Sequence, residues 1–498
     1  MGIYYTPPAL VDHLLDAVLG RRTPRPPTVL DPAMGDGAFL AAAAERLGRA
    51  YPKPGVVARC LHGIDIDPAA VTLARRRLGG RIGKEGRSRL VRGDFLSEEL
   101  VLPGPFDLIV GNPPWGGWNR TLSRDDKLDL RARFELARGM IDPFALFLER
   151  ATRLLEPGGR LAMVLPDYFL VKHYSSARRL LLESYQVDEL ARWGQAFPGV
   201  SLDACTVVAT RRAHRPRGHV VRCLPEGLAG RIVRTPQSRF AAAPGHLINL
   251  AMDARDATLL GRLEERGVPL GEWLEMHEGI HSGNIRGKLF VPPALHRPTT
   301  TGTSGTGLLP LLVLGRDEIR PFMLRPAGWR VRWDAGIVDR KKGDYANLGR
   351  RQWFESPKIL VRRTGDAVVA ALDLEGRFAS NNLFVALARE GCPLPLEYLE
   401  AYLNSSLATW CFRAMQPRQG RPFAELKLRQ LNRLPVPVPR GVAGKRAMTR
   451  VISIARGMRT PGGRSDGSRE AIDKILCALA GLSAADSRRI CRKSPANH

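Results

Sequence analysis

The stretch Phe106-Asp107-Leu108-Ile109-Val110-Gly111-Asn112-Pro113-Pro114-Trp115 decides how this chain folds. Its first six residues form an apolar run of strand length bounded by Gly and Pro, which reads as a buried strand of a parallel sheet. Asn112-Pro113-Pro114-Trp115 then falls at the strand's carboxyl end, where open α/β sheets place their ligand crevice. Asn112 offers an amide oxygen, Pro113 lacks an N–H and leaves its carbonyl free, Pro114 stiffens the turn, and Trp115 presents a flat π face. Two acceptors beside an aromatic plate suit a planar group carrying an exocyclic NH2. An ordinary strand-ending turn is the other reading of the same four residues.

Upstream, the same pattern of strand ending in a polar residue occurs three times. Thr28 to Leu40 reads as strand, Gly-rich turn and the start of an Ala-rich helix, with Asp31 at the strand end and Ala33, Gly35 and Gly37 in the turn. The glycines fall short of the full dinucleotide fingerprint. A carboxylate at this place repels a pyrophosphate and suits the ammonium of a methionine moiety, so S-adenosylmethionine (SAM) fits better than NAD. The second strand, Arg59 to Pro68, ends in Asp65, placed for ribose hydroxyls, with Ile66 beside it. Asp67 either joins it or caps the helix that starts at Ala69. The third ends at Asp94, which can accept from an adenine amine, and Phe95, which can pack on the ring. Before all of these, Tyr4-Tyr5-Thr6-Pro7-Pro8 leads into a helix to Leu19 with Thr6 as its cap, its hydroxyl and the first free N–H groups being available to a carboxylate.

The length of 498 residues predicts two or three domains, and 44% hydrophobic with 25% charged residues is the composition of a soluble globular protein. No apolar run is long enough to span a bilayer and the N-terminus lacks a signal-peptide pattern, so a cytoplasmic location and no membrane partner are expected. Seven cysteines without a Cys-x-x-Cys pair argue against a zinc site or a disulfide framework, and no metal is expected. The net charge of +27 is lopsided: residues 1–210 carry about +4, leaving about +23 for the remainder. A basic excess confined to one part marks a polyanion-binding surface, and nucleic acid fits better than a membrane because no amphipathic anchor accompanies it. Free use of Arg by the host is the alternative source of the charge.

These motifs resemble the gamma group of N6-adenine DNA methyltransferases of restriction-modification systems, the TaqI-like and Eco57I-like methylases. The resemblance continues through Asp142-Pro143-Phe144-Ala145-Leu146-Phe147, Leu155 to Pro166, and Ala196-Phe197-Pro198-Gly199-Val200 with Cys205 to Ala209. It extends into the C-terminal half through Gly279 to Asn284, Pro357 to Arg363, Ser380 to Phe384, Leu403 to Leu407, Phe423 to Lys427 and Leu431 to Pro437. It implies a Rossmann-like α/β catalytic domain over 1–210 and a mixed α/β target-recognition domain over 266–440. Residues 211–265 read as a basic linker or variable segment and 441–498 as a helical tail. By the same resemblance Phe147 helps enclose the SAM adenine and Phe197 lies over a flipped base. The implied reaction is methyl transfer from SAM to the N6 amine of adenine in double-stranded DNA.

Trp115 departs from the Tyr or Phe usual in the family. The Asn-Pro-Pro-aromatic signature also occurs in enzymes that methylate protein glutamine or ribosomal RNA guanine, and a catalytically silent DNA-specificity protein is a further alternative. Fewer than about thirty residues precede the first SAM strand, so a cognate restriction endonuclease is expected as a separate chain. In the basic half, Arg351, Lys358, Arg362 and Arg363 are candidate phosphate contacts, and Asn284, Arg286, Asn381 and Asn382 are candidates for base edges. The stretch Pro298 to Gly307 reads as a low-complexity loop, and Leu396 to Arg413 as a helix.

Overall fold

The computed structural model describes residues 6–20, 23–116, 122–171, 174–197, 202–212, 214, 218–295, 309–365, 367–415, 426–459 and 467–493. Tyr4 and Tyr5, Pro198-Gly199-Val200, the stretch Pro298 to Gly307 and Phe423-Ala424-Glu425 lie outside the described residues. The chain divides into two compact units, Met1–Ala254 and Arg255–His498.

The first unit is built on nine strands: β1 (Val29–Asp31), β2 (Leu61–Asp65), β3 (Leu90–Arg92), β4 (Phe106–Gly111), β5 (Leu155–Pro166), β6 (Tyr185–Gly194), β7 (Ala204–Arg211), β8 (Val220–Leu224) and β9 (Val233–Pro236). Their order is β3-β2-β1-β4-β5-β7-β6-β8-β9. The first five pair in parallel, β7 runs antiparallel to both β5 and β6, and β8 returns parallel to β6. The chain winds outward from β1 to β3, then restarts on the other side with β4. The switch point therefore lies between β1 and β4, where a doubly wound sheet opens its crevice.

Alternation along the parallel strands produces two cores. Leu30, Ile64, Ile109, Leu161 and Met163 join the buried faces of the helices Pro143–Leu154 and Ser175–Ser184. Val29, Leu61, Leu108, Val110, Ala162 and Val164 join the helices Pro8–Leu19, Ala38–Ala50 and Pro68–Ser88. The Rossmann-like α/β class expected from the sequence is the one observed.

The segment from 211 is not a linker. Val221 and Cys223 are buried while Val220 and Arg222 are exposed, a period of two that makes β8, and β9 pairs antiparallel with it, so this basic stretch extends the sheet as its edge. The helix after Pro7 also differs from expectation. Its cap position is Pro7, without a side-chain hydrogen bond, and the Thr6 side chain is engaged elsewhere. Asp67 does cap Pro68–Ser88, accepting from the Ala69 N–H at 2.8 Å.

The second unit is mixed α/β. Its four-stranded antiparallel sheet runs Leu274–Glu278, Leu383–Ala388, Lys358–Arg362, Ala370–Asp373. The helix expected over 396–413 is two, Leu396–Leu403 and Ser406–Met415. Asn404 at the break accepts from the Ala370 N–H at 2.9 Å and donates to its carbonyl at 2.8 Å, so the side chain continues the sheet edge where a helix would have run on. Val451, Ala455, Ile472, Leu476, Cys477 and Ile490 belong to the same core as this sheet, so the residues after 441 complete the unit.

Candidate active site

At the switch point the ends of β1 and β4 touch. Gly111 takes φ +152°, and a Cβ there would lie 2.6 Å from Asp31 Oδ1. Only glycine lets the two strand ends approach this closely. Asp31 is 1% exposed, with Oδ1 accepting from the Ala33 N–H at 3.1 Å. Burial, helped by the Asp65 and Asp36 carboxylates and partly offset by the Ala33 N–H, lifts its carboxyl to about 8. A nearby cation would restore the charged form.

The other strand ends are tied to this one through backbone. Asp65 accepts from the Gly35 N–H at 2.8 Å and the Asp67 N–H at 2.9 Å, fixing the Gly-rich turn against β2. Gly37 starts the following helix at φ +80°, with Ala74 and Leu78 packed against its Cα. Ile66 is 67% exposed, an apolar side chain open to a ligand beside Asp65. The Gly93 N–H donates to the Asp65 carbonyl at 2.9 Å, bringing the β3 end alongside. Asp94 is exposed, and its Oδ1 accepts from the Leu96 N–H at 2.8 Å. Phe95 and Phe147 pack together with ring centroids 4.9 Å apart, both buried, so they form the floor of this corner rather than open faces.

Asn112 is held by Thr6, whose Oγ1 accepts from Asn112 Nδ2 at 3.3 Å. With the amide placed this way, its Oδ1 is the end left over. Asn112 Oδ1 is buried and has no hydrogen-bond partner among the described residues, and neither has Trp115 Nε1. A buried polar atom without a partner costs roughly 1–3 kcal/mol, and two in one tetrapeptide mark a surface built for a ligand. Pro113 is buried and Pro114 half-buried, so the turn is rigid. Trp115 meets Phe197 edge to face, 5.4 Å between centroids at 85°. Phe197, expected over a base, is buried here and braces the Trp115 indole edge to face.

Three site residues were not anticipated. Asp142 is buried and accepts from the Gly116 N–H at 2.9 Å, from Tyr168 Oη at 2.7 Å and from Tyr174 Oη at 3.0 Å. Gly116 follows Trp115 directly, so this carboxylate anchors the turn 112–115 from behind. Burial raises the Asp142 carboxyl above its ordinary range, and burial together with the Asp142 charge raises both phenols. An acidic residue before Pro143 at a helix start reads locally as a cap, and nothing in the sequence joins it to tyrosines at 168 and 174.

A family model of the Eco57I restriction-modification methylase matches residues 59–197, and one of the TaqI-like C-terminal specificity domain matches 315–436. This chain belongs to the TaqI-like and Eco57I-like restriction-modification methylases. The methylase is similar to the Type II methyltransferase M.TthHB8I of Thermus thermophilus, 27% identical over 457 residues, covering 88% of this chain and 92% of that one. A release factor glutamine methyltransferase of Rhodospirillum rubrum is 31% identical over 141 residues, covering 27% of this chain and 38% of that protein. The fold is similar to that of the Type IIL restriction-modification enzyme MmeI, solved in complex with DNA, with a TM-score of 0.59 at 12% identity, covering 98% of this chain and 76% of that one.

In the methylase's specificity unit the expected contact residues divide. Lys358 is fully buried and paired with Asp373 at 2.6 Å, its amine pushed down by burial, so it is a structural ion and not a phosphate contact. Asn284 is exposed, and one bond at each end of its amide holds it to the backbone: its Nδ2 donates to the Gly343 carbonyl at 3.0 Å and its Oδ1 accepts from the Tyr345 N–H at 2.9 Å. Asn381 and Asn382 form a turn, the Asn382 amide donating to the Leu314 carbonyl at 3.0 Å. Arg362 donates to the Ile319 carbonyl, and Arg363 donates to the Asn381 carbonyl at 3.2 Å and pairs with Glu278 at the same distance. Arg351 pairs with Glu355 at 2.7 Å on an exposed helix, and Arg286 is exposed over the Phe290 ring.

Proposed function

We propose that this methylase transfers a methyl group from SAM to the N6 amine of an adenine turned out of double-stranded DNA, as the modification component of a restriction-modification system. The observation that carries the proposal is Asn112 Oδ1, a buried acceptor without a partner among the described residues, its amide held by Thr6 at the switch point of the sheet.

The residues present fit SAM. Asp31, which is buried and needs a cation to ionise, would take the ammonium; Asp65 the ribose hydroxyls; Ile66, Asp94, Phe95 and Phe147 the adenine. When bound, SAM supplies an electrophilic methyl on a sulfonium. The chain's own work lies with the acceptor. An adenine N6 amine is a poor nucleophile because its lone pair is delocalised into the ring. Asn112 Oδ1 and the Pro113 carbonyl, each accepting one of its hydrogens, draw the nitrogen toward tetrahedral geometry and free the pair. Trp115, braced by Phe197, offers its indole face to the base. Stacking worth roughly 1–3 kcal/mol offsets part of the few kcal/mol needed to extrude the base.

DNA is favoured over a protein amide as acceptor because likeness to the glutamine methyltransferase covers only 27% of the chain, whereas the specificity-domain match lies in the basic half. A separately encoded cognate nuclease and a cytoplasmic setting complete the proposal; among the described residues no helix is long and apolar enough to cross a membrane. The test is Asn112→Ala: methyl transfer from labelled SAM to duplex DNA is expected to disappear while binding of SAM and DNA persists. Turnover near that of the unaltered protein would refute the mechanism.

A further inference from the structure

In the second unit, Arg340-Lys341-Lys342 form a short turn in which all three cations are exposed. The two carboxylates that flank it are engaged in building it. Asp339 Oδ1 accepts from the Lys341 N–H at 3.1 Å, and Asp344 Oδ2 accepts from the Asp339 N–H at 3.2 Å while Asp344 pairs with Lys288 at 2.8 Å. Lys342 keeps only a 3.5 Å surface contact with Asp339. Beyond the turn comes Tyr345, 60% exposed, then Arg350 and Arg351, also exposed.

An exposed basic loop is ordinarily just solvated. This one is held in a fixed shape. His281 and Asn347 exchange backbone hydrogen bonds at 2.9 and 2.8 Å, and Asn284 grips Gly343 and Tyr345 with both ends of its amide. Gly283, at φ +50°, sits so close that a Cβ would lie 1.9 Å from the Tyr345 carbonyl. At the far end Trp353 stacks on His277, 3.6 Å between centroids at 7°, with the Arg350 guanidinium over the indole. The segment 281–284 thus mounts the loop 339–351, which carries five cations against two acids. Pre-ordering a charged loop removes an entropy cost that would otherwise be met on binding.

We propose that the loop 339–351 is a duplex-DNA contact surface of this methylase, with Arg340, Lys341 and Lys342 on the phosphate backbone and Tyr345 against the groove wall. The proposal rests on DNA being the acceptor. It gives Asn284, Gly283 and His281 the task of mounting the loop.

The test uses the full chain and a 20–30 base-pair duplex containing its methylation site, with Kd measured across a range of salt. A triple variant, Arg340→Ala with Lys341→Ala and Lys342→Ala, is compared with a control that removes equal charge from exposed positions of the helix Gly441–Met458: Lys445→Ala with Arg446→Ala and Arg450→Ala. The loop variant is expected to bind roughly ten-fold or more weakly, with a salt slope reduced by about 2–3, while the control stays close to the unaltered protein. Tyr345→Ala is expected to weaken binding without changing the slope. Unchanged binding in the loop variant, or equal losses in the two triple variants, would overturn the inference while leaving the DNA reading intact. Failure of the unaltered protein to bind duplex DNA, with SAM still bound, would overturn both.

Discussion

Asn112 Nδ2 donates to the Thr6 hydroxyl at 3.3 Å, so a residue far away in the chain holds the Asn112 amide with its Oδ1 turned from Thr6. Thr6→Val keeps the shape of the side chain and removes the acceptor. The amide is then free to present its NH2 to another NH2, and kcat is expected to fall about ten-fold or more, the cost of one misdirected hydrogen bond. Steady-state kinetics check this, with KM for DNA changing less than kcat.

Asp31→Asn separates stability from function. The wild-type carboxyl sits at about 8 in the folded protein, against about 3.8 for an Asp in water, so the folded state binds the extra proton. Stability is therefore lost as pH rises from about 4 to 8. The neutral variant escapes that loss, and its Tm without cofactor is expected to exceed that of the unaltered protein by an amount that grows over this window. SAM binding by calorimetry is expected to vanish in the variant.

Between pH 6 and 7.5, SAM affinity of the unaltered protein is expected to rise with pH. An ammonium favours ionised Asp31, which the free protein holds largely protonated there. Titrations in buffers of different ionisation enthalpy should show proton release on binding; proton uptake would contradict the assignment.

The four strand ends were legible in the sequence because each pairs an apolar run with a polar residue at a turn, a local signal. Asp142 was not, since its three donors come from Gly116, Tyr168 and Tyr174, which only packing brings together. Likewise Lys358 opens the run Lys358-Ile359-Leu360-Val361-Arg362 and reads as an exposed cation. Its partner Asp373 is directly opposite on the neighbouring strand, and the pair is fully buried. The segment after 211 misled through composition: β8 and β9 are short strands, β9 at the edge of the sheet, with Arg222 and Arg234 at exposed positions.

Asp142→Asn supplies a donor where three donors already converge. The catalytic turn is expected to loosen, with kcat down about 10- to 100-fold and stability down about 1–3 kcal/mol, while SAM affinity changes only a few-fold. Chemical denaturation and single-turnover rates measured on the same variant separate the two effects.

Lys358→Ala leaves Asp373 buried without its lysine, and a loss of about 3–5 kcal/mol is expected. The salt slope of DNA binding should not change. A slope reduced by about one would instead return Lys358 to the phosphate contacts.

The most direct measurement incubates the purified methylase with SAM and unmethylated duplex DNA, digests the DNA to nucleosides and examines them by mass spectrometry. N6-methyladenine, absent from the Asn112→Ala reaction, is the expected product. Methyl groups found only on cytosine, or none on DNA from protein that binds both SAM and the duplex, would contradict an adenine amine held between Asn112 and Pro113.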